Sequence, residues 1–377
     1  MLKRLATTAA AFCLCRSADS AGGRRYDSRF LGDTSRYIAW TRALVTRLDP
    51  WFVDDPWAAS FVGGEDAVSA RLRTVDAASL GRLAIRTRFF DELIVEFCER
   101  HARCQLVLLG AGLDTRAQRL HLGSGCSVFA LDARRVIRGK LAALPRNAPL
   151  RCGSLAHVAC DLTDPAWADA LAAAPGYRND VPTFYVAEGL LYYLDEADVS
   201  QIVEAIARTA PPKSKFLASV ISTGALKNAK KRATRAEKKV FAAFRWGVDR
   251  PLRWLRRRGC GKGRCYELGR RRRGLDLWWR RHPPANRADP AVVRPPAFWA
   301  RDAARTFYVV VDVGSAQPQK EPASSIAWDA GAEATLARVP WFVRSYVRAK
   351  TDEFAAARGL AVVTADVVDD AKRHHGR

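Results

Sequence analysis

The chain is expected to fold as α/β, a mostly parallel doubly wound sheet, and three observations lead there. Short apolar runs recur at intervals that leave room for a helix between them: Gln105–Gly110, Ser127–Asp132, Leu155–Cys160, Thr183–Ala187 and Lys215–Ser222. Runs of this kind belong to strands covered on both faces. Helical periodicity fills most of the gaps, at Arg134–Leu144, Pro165–Ala174 and Glu196–Thr209, and that alternation implies right-handed crossovers. Finally, the first run ends in a Gly-x-Gly turn, Gly110 and Gly112, at the carboxyl edge where such sheets bind ligands.

Taken in order, Lys3 and Arg4 precede an alanine-rich stretch, Leu5–Cys15, and small residues follow through Gly23. This reads as a secretory or organelle leader or as a disordered one, although Thr7 and Thr8 suit secretion poorly. Residues 1–23 are therefore set apart from one domain over 24–377. Thr34–Arg47 and Pro56–Phe61 are expected to be short helices, and Leu80–Arg100 a longer one leading into the first strand. Pro211-Pro212 closes the helix before the fifth strand. Beyond it lies a basic insertion, 225–300. Thr351–Arg358 reads as a helix stopped by Gly359, Leu360–Ala365 as a sixth strand, and Phe307–Val313 as a further strand candidate.

With 377 residues and 49% hydrophobic content, the chain can build one large α/β domain with insertions or two modest ones. Its apolar runs fall short of the roughly 18 residues a membrane span needs. Nine cysteines without a CxxC pair, and six scattered histidines, read as free thiols in a reducing compartment, with no metal site. A cytoplasmic location is expected, with organelle targeting by residues 1–23 left open.

The net charge of +23 is concentrated: Ala225–Arg281 holds 21 lysines and arginines against four acids. Arg256–Arg258 and Arg270–Arg273 are interleaved with Trp246, Trp254, Trp278 and Trp279, a pattern that can grip single-stranded RNA. Such runs are more often solvated insertions, and Pro251 with several glycines breaks any long helix. The solvated reading is preferred over nucleic-acid binding through 225–281.

Polar groups gather at the carboxyl ends of successive strands. The first gives Gly110, Gly112 and Asp114, and the second ends in Asp132, near the spacing at which an acid takes ribose hydroxyls. The third ends in Asp161-Leu162, an acid for an amino group beside a leucine for a ring, and the fourth in Glu188-Gly189. Each acid alone could be a helix cap, most plainly Asp161 with Asp164. Together they suit a nucleoside with a charged tail.

RTRFFDEL (Arg86–Leu93), LLGAGLDTRAQRL (Leu108–Leu120), VACDLTD (Val158–Asp164) and VAEGLLYYL (Val186–Leu194) resemble the leucine carboxyl methyltransferase family. That family is a branch of the class I S-adenosylmethionine-dependent methyltransferases. The likeness covers about Thr34–Ser222 and resumes faintly at Asp352–Val368. It implies a Rossmann-like class I methyltransferase fold, with the basic insertion after the fifth strand, and S-adenosyl-L-methionine as cofactor. By resemblance, Arg86 grips the methionine carboxylate, a task for an arginine fork. Gly110 and Gly112 line the methionine tail, Asp132 binds the ribose, and Asp161 and Leu162 flank the adenine. Glu188 closes the site, with Tyr192 and Tyr193 as candidates for the acceptor side.

The chain departs from the family at Ala130, where a Glu is usual, and at Arg134, where a Pro is usual. Arg36 stands where eukaryotic members carry a cofactor-reaching lysine and keeps its charge. The family's last strand is expected to be absent, replaced by something like Phe307–Val313, or lost in an incomplete gene model. The resemblance implies O-methylation of a carboxylate, of a protein C-terminal leucine or of a small acid. A carboxylate is already ionised at neutral pH and needs no general base, so no catalytic residue is singled out. Two other readings stand beside it: a nucleic-acid-binding or RNA-modifying protein using the basic insertion, and a methyltransferase-fold pseudoenzyme.

Overall fold

Each of the five apolar runs becomes a strand whose carboxyl end falls within one residue of expectation, and those ends are what position a site. In the computed structural model, which describes residues 12–13, 28–71, 77–232, 243–268, 305–314, 326–338 and 344–375, a two-residue strand β1 (Phe12–Cys13) comes first. The five runs are β2 (Cys104–Leu109), β3 (Gly123–Asp132), β4 (Cys152–Ala159), β5 (Thr183–Ala187) and β6 (Ser214–Ile221). Two more strands, β7 (Gly263–Leu268) and β8 (Thr306–Val313), complete an eight-stranded sheet in the order β1-β4-β3-β2-β5-β6-β8-β7. All neighbours are parallel up to β6, and β8 runs antiparallel to both β6 and β7.

From β2 the chain winds outward through β3 and β4 on one side, then returns to lay β5 and β6 on the other. The reversal opens a crevice above the carboxyl ends of β2 and β5, the usual ligand site of such sheets. Successive side chains point to opposite faces. Leu106 and Leu108 therefore pack with Leu44, Phe90 and Ile94 of the helices Ser28–Leu48 and Ala77–Glu99, while Val107 and Leu109 pack with Val199, Ile202 and Ile206 of Glu196–Thr209. Each fully buried side chain of this size contributes roughly 1.5–3 kcal/mol.

The last strand is not missing. Thr306–Val313 fills the place between β6 and β7 and pairs with β6 along its whole length. Much of the segment read as an insertion also builds the fold. The helix Pro251–Arg256 and strand β7 lie within it, and Trp246, Val248, Leu255 and Cys260 are buried in the same core as Val199. Trp246 is 5% exposed and has no face left for a stacked base. The ring of Trp254 lies 4.9 Å from it, with the Arg258 guanidinium 3.4 Å above Trp254. Arg270–Arg273, Trp278 and Trp279 fall outside the described residues, as does the leader apart from β1.

The chain divides into two compact units, Met1–Ala316 and Gln317–Arg377, whereas the sequence reading drew no boundary there. In the second, β9 (Ala327–Trp328) pairs in parallel with β10 (Val362–Val363). The helices Ala330–Arg338, Arg344–Ala356 and Ala365–His375 bury Ala332, Ala355 and Val368 with Val363. The expected sixth strand at Leu360–Ala365 is thus a two-residue strand of a separate small sheet. Among the described residues no helix is long and apolar enough to cross a membrane.

Candidate functional site

At the carboxyl end of β2 the chain turns through Gly110 and Gly112, at φ +63° and +51°. A Cβ on Gly112 would meet Ser35 Oγ at 2.8 Å, and left-handed φ already costs an L-residue about 1–2 kcal/mol. The turn is tied to the neighbouring strand twice: the Ala111 amide donates to the Leu131 carbonyl at 2.9 Å, and the Gly112 amide to Asp132 Oδ2 at 2.6 Å. Asp132 Oδ1 accepts the Ala133 amide at 2.7 Å. Each carboxylate oxygen keeps a further lone-pair direction, which is what a ribose diol requires. Burial raises the Asp132 carboxyl above its ordinary value, against the two amides and Lys140.

A cavity of about 570 Å³ opens beside this turn. Its wall includes Gly110, Gly112, Asp114, Arg86, Glu188, Tyr192 and Tyr193, so most of the expected site residues come together. Arg86, on the helix Ala77–Glu99, donates from Nε to Glu188 Oε1 at 2.8 Å and from Nη1 to the Tyr192 hydroxyl at 3.3 Å. Among the described residues its Nη2 has no hydrogen-bond partner, and a fork held on one side by an acid in a cavity wall suits an anionic ligand group. Tyr192 packs at 4.6 Å on Phe244, which lines the same cavity with Tyr308 of β8.

Four expected residues lie outside that wall: Asp132, which holds the glycine turn from β3, and Arg36, Asp161 and Leu162. Arg36 is exposed on the helix Ser28–Leu48, where Ser35 and Arg42 reach the cavity instead. The Asp161 carboxylate closes a local turn, accepting from the Thr163 amide at 2.9 Å and hydroxyl at 2.8 Å, and Asp164 caps Ala166. Leu162 is buried in the core with Trp167.

Sequence reasoning missed the charge lattice beneath the turn. Arg116 donates from Nε to Asp91 at 2.7 Å and from Nη2 to Glu188 Oε2 at 2.6 Å, and its Nη1 pairs with Asp114. Arg119 takes both oxygens of Asp91, at 2.7 and 2.8 Å. Asp55 accepts from Arg42 and from the Thr115 hydroxyl, both at 2.7 Å, while Arg42 also reaches the Leu113 carbonyl at 2.6 Å. Burial works to raise Asp114, yet Arg116, Lys140 and Arg42 hold its carboxyl down at about 2. Glu188 is likewise lowered, against burial, by Arg116 and Arg86. The one available signal was GLDTR itself, in which Asp114 and Arg116 are two residues apart.

The cavity wall thus carries Arg42, Arg82, Arg86 and Arg116 against two acids, Asp114 and Glu188, both already paired with arginine. No histidine, lysine or cysteine among the described residues lines it. Among the described residues it offers no free base. It can hold anionic groups and exclude water.

Residues 36–207 match the family model described as leucine carboxyl methyltransferase. A protein of Mycolicibacterium smegmatis, provisionally named an S-adenosyl-L-methionine-dependent methyltransferase, is 35% identical over 182 residues, covering 44% of this chain and 57% of that protein. One of the same provisional name from Mycobacterium marinum is 33% identical over 236 residues, covering 57% of this chain and 73% of its own length. The chain therefore spans less than two thirds of the first relative and about three quarters of the second. A solved DUF574 family protein from Streptomyces avermitilis overlaps with a TM-score of 0.43 at 13% identity, covering 67% of this chain and 94% of that one. The strand order, and not this overlap, carries the fold. A different family model, described as proto-chlorophyllide reductase 57 kD subunit, matches residues 328–372. It covers the stretch Asp352–Val368, where the first resemblance had seemed to resume.

Proposed function

The chain belongs to the leucine carboxyl methyltransferase family, and from that premise we propose that it transfers a methyl group from S-adenosyl-L-methionine to an acceptor carboxylate. The observation that carries this reading is the cavity wall: among the described residues it has four arginines, two acids already paired, and no histidine, lysine or cysteine. An alcohol or amine acceptor would have to lose a proton during transfer. A carboxylate does not.

The cofactor supplies an electrophilic methyl on a sulfonium, and the residues present fit it. Asp132 offers acceptors to the ribose hydroxyls, the glycine turn leaves room for the methionine tail, and the guanidinium of Arg86 suits the tail's carboxylate. Glu188, charged through its two arginines, faces the same cavity and can take the tail's amino group. The acceptor would lie toward Tyr193, Phe244 and Tyr308, where aromatic walls exclude water and favour an apolar group next to the carboxylate. Positioning and desolvation alone can supply several kcal/mol for an in-line displacement. A leucine-ended peptide and a small apolar acid both fit this chemistry.

The test is to incubate the full chain with S-adenosyl-L-methionine and leucine-ended peptides, or small apolar acids, as free acids and as amides. S-adenosylhomocysteine released with the free acids alone, together with a base-labile methyl ester, is the expected result. Equal turnover of the amides, or a methyl product stable to base, would overturn the carboxylate assignment.

A further inference from the structure

At the amino-terminal end of the sheet, opposite the glycine turn, three thiols converge. Cys104 opens β2, and its register partner on β3 is Cys126. In a parallel pair, partners in register project from the same face of the sheet. Cys98 comes down on them from the last turns of the helix Ala77–Glu99. The three Sγ atoms all lie within 4.8 Å of one another, and Cys98 Sγ is 3.7 Å from Cys126 Sγ. All three are buried, at 8%, 2% and 1% exposure, in the core that also contains Phe97, Leu106 and Val128.

We propose that Cys98, Cys104 and Cys126 form a three-thiolate site for a thiophilic divalent cation of the zinc class. The spacing is the argument. A zinc ion binds thiolate sulfur at about 2.3 Å in a tetrahedral shell, which sets ligand sulfurs about 3.8 Å apart. The Cys98–Cys126 pair already stands at that separation, and the third sulfur needs to move by no more than about an ångström.

The backbone is also arranged to bring the sulfurs together. A Cβ on Gly125, next to Cys126, would lie 2.0 Å from the Ala102 carbonyl oxygen. Only a glycine lets β3 close this tightly on the loop that leads into Cys104. His101, in that loop, has Nδ1 at 2.8 Å from the Phe97 carbonyl oxygen. Its ring nitrogens are not among the atoms that lie within 4.8 Å of one another, so the ligands the fold brings together are the three thiols. The sequence expectation of no metal rested on the lack of a CxxC pair, but these cysteines come from a helix and two strands and meet only in the fold.

The experiment uses the full reduced chain, freed of metal by a chelator and titrated with Co²⁺ as a spectroscopic stand-in. One equivalent should produce a thiolate-to-cobalt charge-transfer absorption with the intense visible bands of a tetrahedral centre, and Zn²⁺ should abolish both. Cys104→Ser and Cys126→Ser should lose the signal, while Cys160→Ser and Cys260→Ser keep it. Because a buried serine costs folding stability, native mass spectrometry of the unaltered chain supplies the second reading, with one bound zinc expected. A folded chain that gives no charge-transfer band and binds no zinc, with the three thiols still free to alkylation after unfolding, would overturn the proposal. A disulfide among the three in the freshly isolated protein would overturn it too.

Discussion

Arg116 Nη2 donates to Glu188 Oε2 at 2.6 Å, joining the helix after β2 to the carboxyl end of β5. The same guanidinium also serves Asp91 and Asp114, so one buried cation bridges three acids, two of which also hold Arg119 or Arg86. Removing one partner from a buried pair costs about 3–5 kcal/mol. Arg116→Met should lower the urea midpoint by an amount equivalent to at least that range. Arg116→Lys should recover less than half of the loss, because an ammonium cannot reproduce the planar fork.

Asp132 ties the cofactor turn to β3 through the Gly112 amide, and its two oxygens are the expected acceptors for the ribose. Hydrogen bonds to a charged group are worth about 1.5–3 kcal/mol, so Asp132→Ala should weaken S-adenosylhomocysteine binding roughly 10- to 150-fold by calorimetry. The far-ultraviolet circular dichroism should be unchanged. Burial raises this carboxyl, so acid should erode cofactor affinity at a higher pH than an ordinary aspartate would give. For folding the sign is opposite: a raised acid contributes stability below its unfolded value, lost as pH climbs through the folded one.

His157 sits on β4 opposite Ala130, buried, with no partner for Nδ1 among the described residues. Burial first, and then the charge of Lys140, push its imidazole from 6.5 to about 4. A histidine lowered on folding contributes stability that is full above the unfolded value and lost as pH falls through the folded one. The window is therefore pH 6.5 to about 4, and the loss across it is roughly 3 kcal/mol. His157→Leu should flatten the profile of unfolding free energy against pH over that window. An unchanged slope would mean the imidazole is already charged or solvated.

The strands and their carboxyl ends were legible because each is an apolar run that stops at a polar or glycine residue, as Leu109 stops before Gly110. The charge lattice was not. Periodicity reveals a polar face of a helix but not whether water or a carboxylate covers it, so Arg116 and Arg119 look like any solvated pair. Asp161 is a different case, a motif match one of whose oxygens, Oδ1, is taken by its own turn. Strand β7 was hidden for a third reason. GRCYEL is an edge strand without a single buried residue, so it has no apolar run, and its charges merged into the basic stretch around it.

That stretch supplies the sharpest contrast in expected outcomes. If Trp246 were a platform for a nucleic-acid base, replacing it would change binding and leave stability within about 0.5 kcal/mol. It is instead packed with Val248, Leu255 and Val199 in the core on one face of the sheet. Trp246→Ala should therefore cost about 3–5 kcal/mol, read from the urea midpoint. Binding of single-stranded RNA, if any is detected, should not change beyond the fraction of chain unfolded. A stable Trp246→Ala chain with altered RNA affinity would return the basic stretch to the role that its charge first suggested.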